Sequence, residues 1–283
     1  MNALVRTLKS FALLRESGVG MTGVAIVLFW TLIAIFAPLI ATFDPNATIM
    51  PFAKPGALNP AGGTFWLGTD HIGRDIFSRV VWGTRTVLIY APLATFCAYV
   101  VGILMGLAAG YQRGWVDEVL SRIADIILSF PVLVLYILII TMFGSSGINI
   151  VLAITFASSP GIMRIVRGLV LDLRNRDYVA AAQTRGETAW YIMLIEILPN
   201  ARGPLIVDAC LRLGYVIITI GVLGFLGLGL PPPDPDWGGM INEARSMALA
   251  FPHMTLIPCI AISSLILGFN LLADGLREIS LRD

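Results

Sequence analysis

The stretch YVAAAQTRGETAWYIMLIEILPN, residues 178–200, lies between two strongly apolar parts of the chain and within its densest run of arginines. Gly186 stands near the middle of this stretch and Pro199 near its end. Glycine suits the left-handed position just after a helix, and Thr188 suits the cap of a following helix. We therefore predict two short helices bent at Gly186, with Pro199 at the next boundary.

The two predicted helices differ in the surface that they offer. The second is apolar almost all round, so it should be buried against protein or lipid headgroups. The first is short and carries small side chains, which suit a groove on another protein. The alternative is an interfacial helix that lies passively on the bilayer. Composition alone favours neither.

The composition is that of an integral membrane protein. Of the 283 residues, 57% are hydrophobic and 13% are charged, and the mean hydropathy is +0.84. Soluble domains carry about 25% charged residues, so most of this surface does not meet water. Cys97, Cys210 and Cys259 lie far apart in apolar stretches, which indicates packing residues and neither a disulfide framework nor a metal site.

Uncharged runs predict an all-α membrane protein with six transmembrane helices, because a spanning helix needs about 20 mostly apolar residues. The run 126–163 is too long for one span and is divided by GSSG at residues 144–147. The runs are 17–43, 86–112, the two parts of 126–163, 213–233 and 246–273. Gly102, Gly106 and Gly110 line one face of the second span and predict close helix packing, with a pore-facing role as the alternative.

Lysine and arginine counts predict the orientation. With the N-terminus inside, the inner segments hold 13 of these residues and the outer segments 5, which favours cytoplasmic termini. The predicted organisation is an amphipathic cytoplasmic segment at 1–18, a first span at 19–43, an extracytoplasmic loop at 44–85, a five-helix core at 86–276 with an elbow at 172–200 and an outer loop at 231–250, and a cytoplasmic tail at 277–283.

Few ionisable residues lie near the predicted spans. Asp208 and Arg212 are four residues apart and share a helix face. They form either a structural pair near the cytoplasmic end of the fifth helix, or part of an inner gate or a subunit interface. The rest of the mid-span sequence is almost free of ionisable groups, which counts against a proton-driven secondary transporter. A sodium-coupled transporter built on backbone carbonyls stays open.

Catalytic motifs are missing from the sequence. Neither Lys9 nor Lys54 ends a glycine-rich phosphate loop, so we predict that the chain does not hydrolyse ATP. His71 and His253 fit no zinc-protease motif, and there is no nucleophile elbow. The chain is predicted not to be an enzyme.

Four motifs resemble one family. The layout Y-V-x-A-A-x-x-x-G, followed after ten residues by I-L-P-N, resembles the "EAA" loop of ABC-transporter permeases. LGTDHIGRDIFSRVVWGTR (67–85), AGYQRGWVDEVLSRIADIILSFP (109–131) and LGFLGLGLPPPDPDWGGMINEAR (223–245) resemble the dipeptide/oligopeptide/nickel subgroup. The chain looks like the C-type permease of a two-permease pair, and the resemblance runs from about residue 66 to the C-terminus.

The resemblance implies a type I ABC importer permease fold with a cytoplasmic coupling helix. It implies a multi-pass protein of the bacterial inner membrane that pairs with a paralogous permease around the path. It also implies two ATPase subunits, which bind ATP and Mg, and an extracytoplasmic binding protein. No cofactor or metal in this chain and no nucleic acid are implied. The substrate implied is a peptide, with nickel or another small solute as the alternative. His71 beside Asp70 is weak support for nickel.

The residues that match the signature, or lie within it, imply ATPase coupling by Ala181, Ala182, Arg185, Gly186, Glu187, Ile197, Leu198 and Pro199. Three positions depart from the family pattern. Ala180 replaces its leading Glu, Arg185 an aliphatic residue and Glu196 a basic or imidazole residue.

Outside contacts are expected near the two extracytoplasmic motifs. Asp75 and Arg79 are four apart and are predicted to pair on a short surface helix. The alternative is a contact with the binding protein or the partner permease. Trp237 is predicted at the membrane interface, in a loop that covers the outer mouth. The candidate outer-contact residues are Asp70, Arg74, Asp75, Arg79 and Trp237.

Overall fold

The chain is mostly helical in a computed structural model that describes residues 17–60 and 62–280. The elements in chain order are α1 (Gly18–Ile35), α2 (Ala37–Ile40), a small antiparallel hairpin of β1 (Ala57–Leu58) and β2 (Thr64–Phe65), α3 (Ile76–Gln112), α4 (Gly114–Ser129), α5 (Val132–Phe143), α6 (Gly147–Leu173), α7 (Asp177–Thr184), α8 (Ala189–Tyr191), a π-helical turn (Ile192–Ile197), α9 (Leu198–Phe225), α10 (Trp237–Ala244), a 3₁₀ turn (Arg245–Met247) and α11 (Pro252–Ser280).

The predicted all-α membrane fold is confirmed. Among the described residues, five helices are long and apolar enough to cross a membrane: α1, α3, α6, the continuous helix from α8 to α9, and α11. A sixth candidate is the bent pair of α4 and α5, which meet at 89° and together have the length and composition of a broken span or a re-entrant loop. The predicted amphipathic segment 1–18 and tail 277–283 lie largely or partly outside the described residues.

Two predicted boundaries are wrong. The second helix starts at Ile76, ten residues before the predicted core, because the Asp75 side chain caps it by accepting from the Ser78 amide at 2.8 Å. The third helix starts at Gly114, twelve residues before the uncharged run 126–163 from which that span was predicted. Pro131 excludes helical geometry at Phe130, which is extended, and this explains the bend between α4 and α5.

The glycines of α3 pack against α6, as predicted. A Cβ atom at Gly102 would lie 2.6 Å from the Ile162 Cβ, and one at Gly106 would lie 2.6 Å from the Val166 Cβ. Gly110 meets Val170 in the same way, at 2.8 Å. Such distances leave no room for a methyl group, so the two helix backbones are in direct contact along this face.

An aromatic pair joins α1, α3, α10 and α11 at the end of the bundle that carries the hairpin, here called the hairpin end. The rings of Trp30 on α1 and Trp237 on α10 meet edge to face at 5.3 Å. The Trp30 indole donates to the Ser264 hydroxyl of α11 at 3.0 Å. The Trp237 indole donates to the Val80 carbonyl of α3 at 3.0 Å. Trp237 is fully buried, so its predicted place at the membrane interface is wrong.

Candidate functional site

The elbow turns at Gly186. The Gly186 amide bonds to the Gln183 carbonyl at 2.9 Å, and the Glu187 amide reaches back to the Ala182 carbonyl at 3.2 Å. This pair of bonds is a Schellman motif, and Gly186 occupies its left-handed position with φ of +77°. The Thr188 hydroxyl then caps the next helix by accepting from the Tyr191 amide at 3.3 Å. The predicted bend and cap are both confirmed.

The second helix of the elbow does not end at Pro199, which corrects the prediction. The helix runs on from Ala189 through a π-helical turn and into α9. Proline lacks an amide hydrogen and clashes with the carbonyl four residues before it. The wider π turn at Ile192–Ile197 comes directly before Pro199, and its altered bonding accommodates the proline without ending the helix.

One face of α7 is buried and the other is exposed. Val179 and Ala182 are fully buried in a cluster with Ile192, Met193 and Ile197. The exposed face carries Ala180, Ala181, Gln183 and Thr184. Of the residues that were expected to couple, Ala181, Arg185, Gly186 and Pro199 are exposed, Glu187 and Leu198 are half-buried, and Ala182 and Ile197 are buried. The buried residues hold the elbow in shape, and the exposed ones form a surface of small side chains.

An ion pair also joins the two sides of the elbow. Arg185 donates to the Glu196 carboxylate at 3.0 Å and lies 3.6 Å from that of Glu187. The ion pair joins the end of α7 to the π turn, on the far side of the Gly186 bend. Arg185 and Glu196 are two of the three positions that depart from the family pattern, and the sequence alone did not show that they meet.

The base of the elbow is fixed to the turn between α3 and α4. Arg174 donates to the Tyr111 carbonyl at 3.0 Å and the Gly110 carbonyl at 3.3 Å. Arg167 binds both oxygens of Asp117, at 2.5 and 2.7 Å. Burial raises the pKa of the Tyr178 phenol at the start of α7. Arginines that the charge count assigned to the inner side therefore hold α6 and the elbow to their neighbours.

Asp208 and Arg212 form the predicted pair, with Nε of Arg212 2.7 Å from the carboxylate. The Tyr99 hydroxyl of α3 donates to the same carboxylate oxygen. The helix begins well before this pair, so the predicted start of the span is wrong. Arg212 stands about 21 Å from the start of α9 and about 20 Å from its end, at a rise of about 1.5 Å per residue. The sequence placed the start of this span at residue 213, because it treated the arginine as a boundary.

A cavity of about 130 Å³ opens beside this pair, between four helices. Its polar walls come from Thr95 of α3, Tyr136 of α5, Ser158 of α6, and Arg212, Tyr215 and Thr219 of α9. Ala98, Ile162 and Val216 supply the apolar remainder. No local sequence pattern points to this cavity, because its polar side chains come from four separate helices.

Charged residues at the hairpin end are paired within the chain. Arg74 binds Asp70 through Nε at 2.5 Å and also donates to Glu243 of α10. Arg79 lies 3.8 Å from Glu243 and does not pair with Asp75, whose carboxylate caps α3. The predicted Asp75–Arg79 pair is therefore wrong. The candidate outer-contact residues are all buried: Asp70, Arg74, Asp75, Arg79 and Trp237. The structure therefore places none of their side chains on an open surface.

Ligand atoms of Asp70, His71 and Glu243 lie within 4.8 Å of one another, a spacing compatible with a metal ion. Arg74 already binds both carboxylates, however, and Arg79 lies nearby. Their positive charge opposes a divalent cation at this place. The cluster is better described as an ion-pair network that fastens α10 to the start of α3.

Asp236 was not singled out from the sequence and proves to be a buried cap. Its carboxylate accepts from the amides of Gly238 at 3.3 Å and Gly239 at 3.0 Å, at the start of α10. A Cβ at Gly229 would lie 2.5 Å from the same carboxylate, so the turn that follows α9 closes around it. Burial raises the pKa of Asp236 to about 6, and the two amide bonds act in the opposite direction.

Comparison with known proteins defines the class to which this fold and elbow belong. Residues 98–282 match the family described as "binding-protein-dependent transport system inner membrane component", and the chain belongs to that family. Residues 11–60 match the N-terminal transmembrane domain of oligopeptide transport permease C. The chain is thus a multi-pass membrane permease component, as the resemblance implied.

Individual relatives cover most of the chain. It is 38% identical over 270 residues to a dipeptide transport system permease protein, DppC, of Alkalihalophilus pseudofirmus, covering 95% of this chain and 88% of the relative. It is 42% identical over 213 residues to a glutathione transport system permease protein, GsiD, of Pectobacterium atrosepticum, covering 75% and 71%. A solved chain of the MetNI methionine ABC transporter shares the fold, with a TM-score of 0.60 at 18% identity, over 71% of this chain and 96% of that one.

Proposed function

We propose that this chain is a permease subunit of an ATP-driven importer, and that with a paralogous permease it forms the path for peptides delivered by a binding protein. The observation that carries the proposal is the elbow. It has a buried face that holds its shape and an exposed face of small side chains, in a chain whose sequence has no phosphate loop. Such a surface suits docking into a cleft of a separate ATPase.

The peptide substrate is supported by the relatives that cover most of the chain. Their names assign them to transport of dipeptides and of glutathione. Nickel remains the alternative within the class. The Asp70–His71–Glu243 cluster is the only described group with a ligand spacing for a metal ion, and its arginine partners disfavour one.

The proposed arrangement places the elbow end in the cytoplasm of a bacterial inner membrane. Two ATPase subunits that bind ATP and Mg dock there, and both termini of the chain lie on that side. The binding protein docks at the hairpin end. Arginines cluster around the elbow, at Arg164, Arg167, Arg174, Arg176, Arg185 and Arg202, and a cytoplasmic location agrees with that enrichment.

Reconstitution separates the candidate functions. The chain is placed in liposomes with its partner permease, the ATPase pair and the binding protein, and uptake of radiolabelled dialanine and of Ni²⁺ is measured with and without ATP. We expect ATP-dependent uptake of dialanine and none of Ni²⁺. ATP-dependent uptake of Ni²⁺ alone would select the nickel importer. Uptake driven by an ion gradient, without the ATPase pair, would select a secondary transporter or channel.

A further inference from the structure

We infer that the cavity beside Arg212 is a substrate site in the translocation path, where the Arg212 guanidinium receives the terminal carboxylate of a passing peptide. The inference rests on the proposed function and deepens it, because it names the residues that meet the substrate and the chemical group that they recognise. It assigns to Arg212 a role in transport beyond pairing with Asp208.

The position of Arg212 is the first argument. The residue lies inside the apolar helix that runs from α8 through α9, about 20 Å from its end at Phe225, which places it within the span and not at its edge. An ionisable side chain at that depth is costly and almost always faces a bundle interior or a water-filled cavity. Arg212 lines the cavity directly. Tyr215, one turn along the helix, is 69% exposed on the surface of this chain. Tyr215 also lines the cavity, so this polar strip of α9 faces the cavity.

The guanidinium geometry is the second argument. Arg212 binds Asp208 through Nε, at 2.7 Å. Both terminal nitrogens, Nη1 and Nη2, lie 3.6 Å from the position of a Cβ at Gly161 on α6. The forked end of the side chain thus lies against α6 at Gly161, next to Ile162, which lines the cavity. A planar fork of two nitrogens matches the two oxygens of a carboxylate.

The remaining walls suit a peptide terminus. Thr95, Ser158 and Thr219 line the cavity. The Thr95 and Thr219 hydroxyls already donate to the Ala91 and Tyr215 carbonyls, at 2.8 and 2.9 Å, so they offer acceptor oxygens to an amide hydrogen. The apolar side chains of Ile162 and Val216 lie beside them, against which a small side chain can pack. The volume of about 130 Å³ accommodates several water molecules, so it accommodates the end of a short peptide.

Asp208 and Tyr99 fix the position of the Arg212 side chain. The carboxylate of Asp208 neutralises the guanidinium when no substrate is bound, and Tyr99 fixes that carboxylate from α3. Because this bond is made through Nε, the side chain is anchored without using the two terminal nitrogens. Asp208 and Tyr99 are therefore positioning residues, and Arg212 is the group that touches the substrate.

The test uses the complete transporter in liposomes, with ATP and radiolabelled dialanine, whose only carboxylate is its C-terminus. Arg212→Gln should lower dialanine uptake by about tenfold or more, since a hydrogen-bonded charge contact is worth about 1.5–3 kcal/mol. ATP hydrolysis by the assembled complex should persist. Dialanine uptake by Arg212→Lys should lie between that of the wild type and that of Arg212→Gln, because lysine keeps the charge but lacks the fork. Asp208→Asn should lower uptake less than Arg212→Gln does, because it weakens the anchoring of the guanidinium but keeps the cation.

A second pair of variants tests the cavity without removing the charge. Gly161→Ala places a methyl group in ordinary contact with the fork, so uptake should be retained. Gly161→Leu adds carbon atoms beyond that contact and must displace the fork, so uptake should fall although both charges of the Asp208–Arg212 pair are kept. The two Gly161 variants still test whether the cavity binds substrate if Arg212→Gln does not assemble with its partners.

The outcomes separate the two proposals. A wild-type complex that hydrolyses ATP but carries no dialanine overturns the proposed peptide function, and the inference with it. Wild-type uptake together with unchanged uptake by Arg212→Gln or Gly161→Leu overturns the inference alone. Equal losses in Arg212→Gln and Asp208→Asn show a purely structural ion pair and also overturn it.

Discussion

Arg185 and Glu196, eleven residues apart in the sequence, form an ion pair of 3.0 Å across the Gly186 bend. Each residue departs from the family pattern, and the two departures have opposite charge. Together they fasten the end of α7 to the π turn that leads into α9. The elbow therefore has its own charged cross-link, and the departures compensate each other.

Reversing this pair tests the compensation. Arg185→Glu or Glu196→Arg alone places like charges together and should lower dialanine uptake by no more than roughly fivefold, because an exposed pair is worth at most about 1 kcal/mol. The double variant should recover most of the loss. ATP-driven uptake and ATP hydrolysis are measured in parallel, with reversal of the exposed Arg202 as the control. Losses that add in the double variant would mean that the two residues act separately.

Gly186 is the residue on which the bend depends. Gly186→Val should uncouple uptake from ATP hydrolysis, because a β-branched residue resists the φ of +77° at this position. The matched control is Gly186→Asn, since asparagine tolerates the left-handed region and a Cβ here would meet nothing within 4 Å. Transport per ATP hydrolysed is the readout. Coupled transport by Gly186→Val at the wild-type ratio would show that the bend is not needed.

The contact between α3 and α6 should be intolerant of a single methyl group. A Cβ at Gly106 would lie 2.6 Å from the Val166 Cβ, so Gly106→Ala should lower the stability of the purified protein by about 1–3 kcal/mol. Gly168→Ala on α6 is the control, because a Cβ there meets nothing within 4 Å. Thermal unfolding in detergent compares the two variants. Equal unfolding temperatures would contradict the close packing.

The buried cap of α10 should make stability depend on pH. The folded pKa of Asp236 is about 6, above the reference of 3.8, so protonation favours the folded state. Its contribution is full below about pH 4 and is lost as the pH rises through about 6, a change on the order of 3 kcal/mol for this shift. Asp236→Asn should remove that part of the pH dependence. Unfolding curves of both proteins with the same pH dependence would be inconsistent with a raised pKa.

Local patterns in the sequence predicted local structure well. Gly186 and Thr188 act through bonds to residues within five positions, so the bend and the cap were visible in the sequence. The same holds for the pairing of Asp208 with Arg212, one helical turn apart. The family resemblance added the type I importer permease fold, which local patterns do not reveal.

Long-range contacts were not predictable from spacing. Arg79 pairs with Glu243, 164 positions away, and not with the nearby Asp75, because α10 folds back over the start of α3. Trp237 was assigned to the interface from its type, but packing against Trp30 buries it. Arg212 was treated as the edge of a span, although a paired arginine can lie in the middle of a helix when a tyrosine and a carboxylate accompany it.

The central claim is that the elbow docks on a separate ATPase, and site-specific photo-crosslinking tests it most directly. A photoreactive amino acid is introduced in the assembled transporter either at the exposed Ala181 of α7 or at Leu249, which is fully exposed at the hairpin end. We expect Ala181 to crosslink to the ATPase subunit and Leu249 not to. An ATPase crosslink from Leu249, or none from Ala181 in an assembly that hydrolyses ATP, would contradict the account.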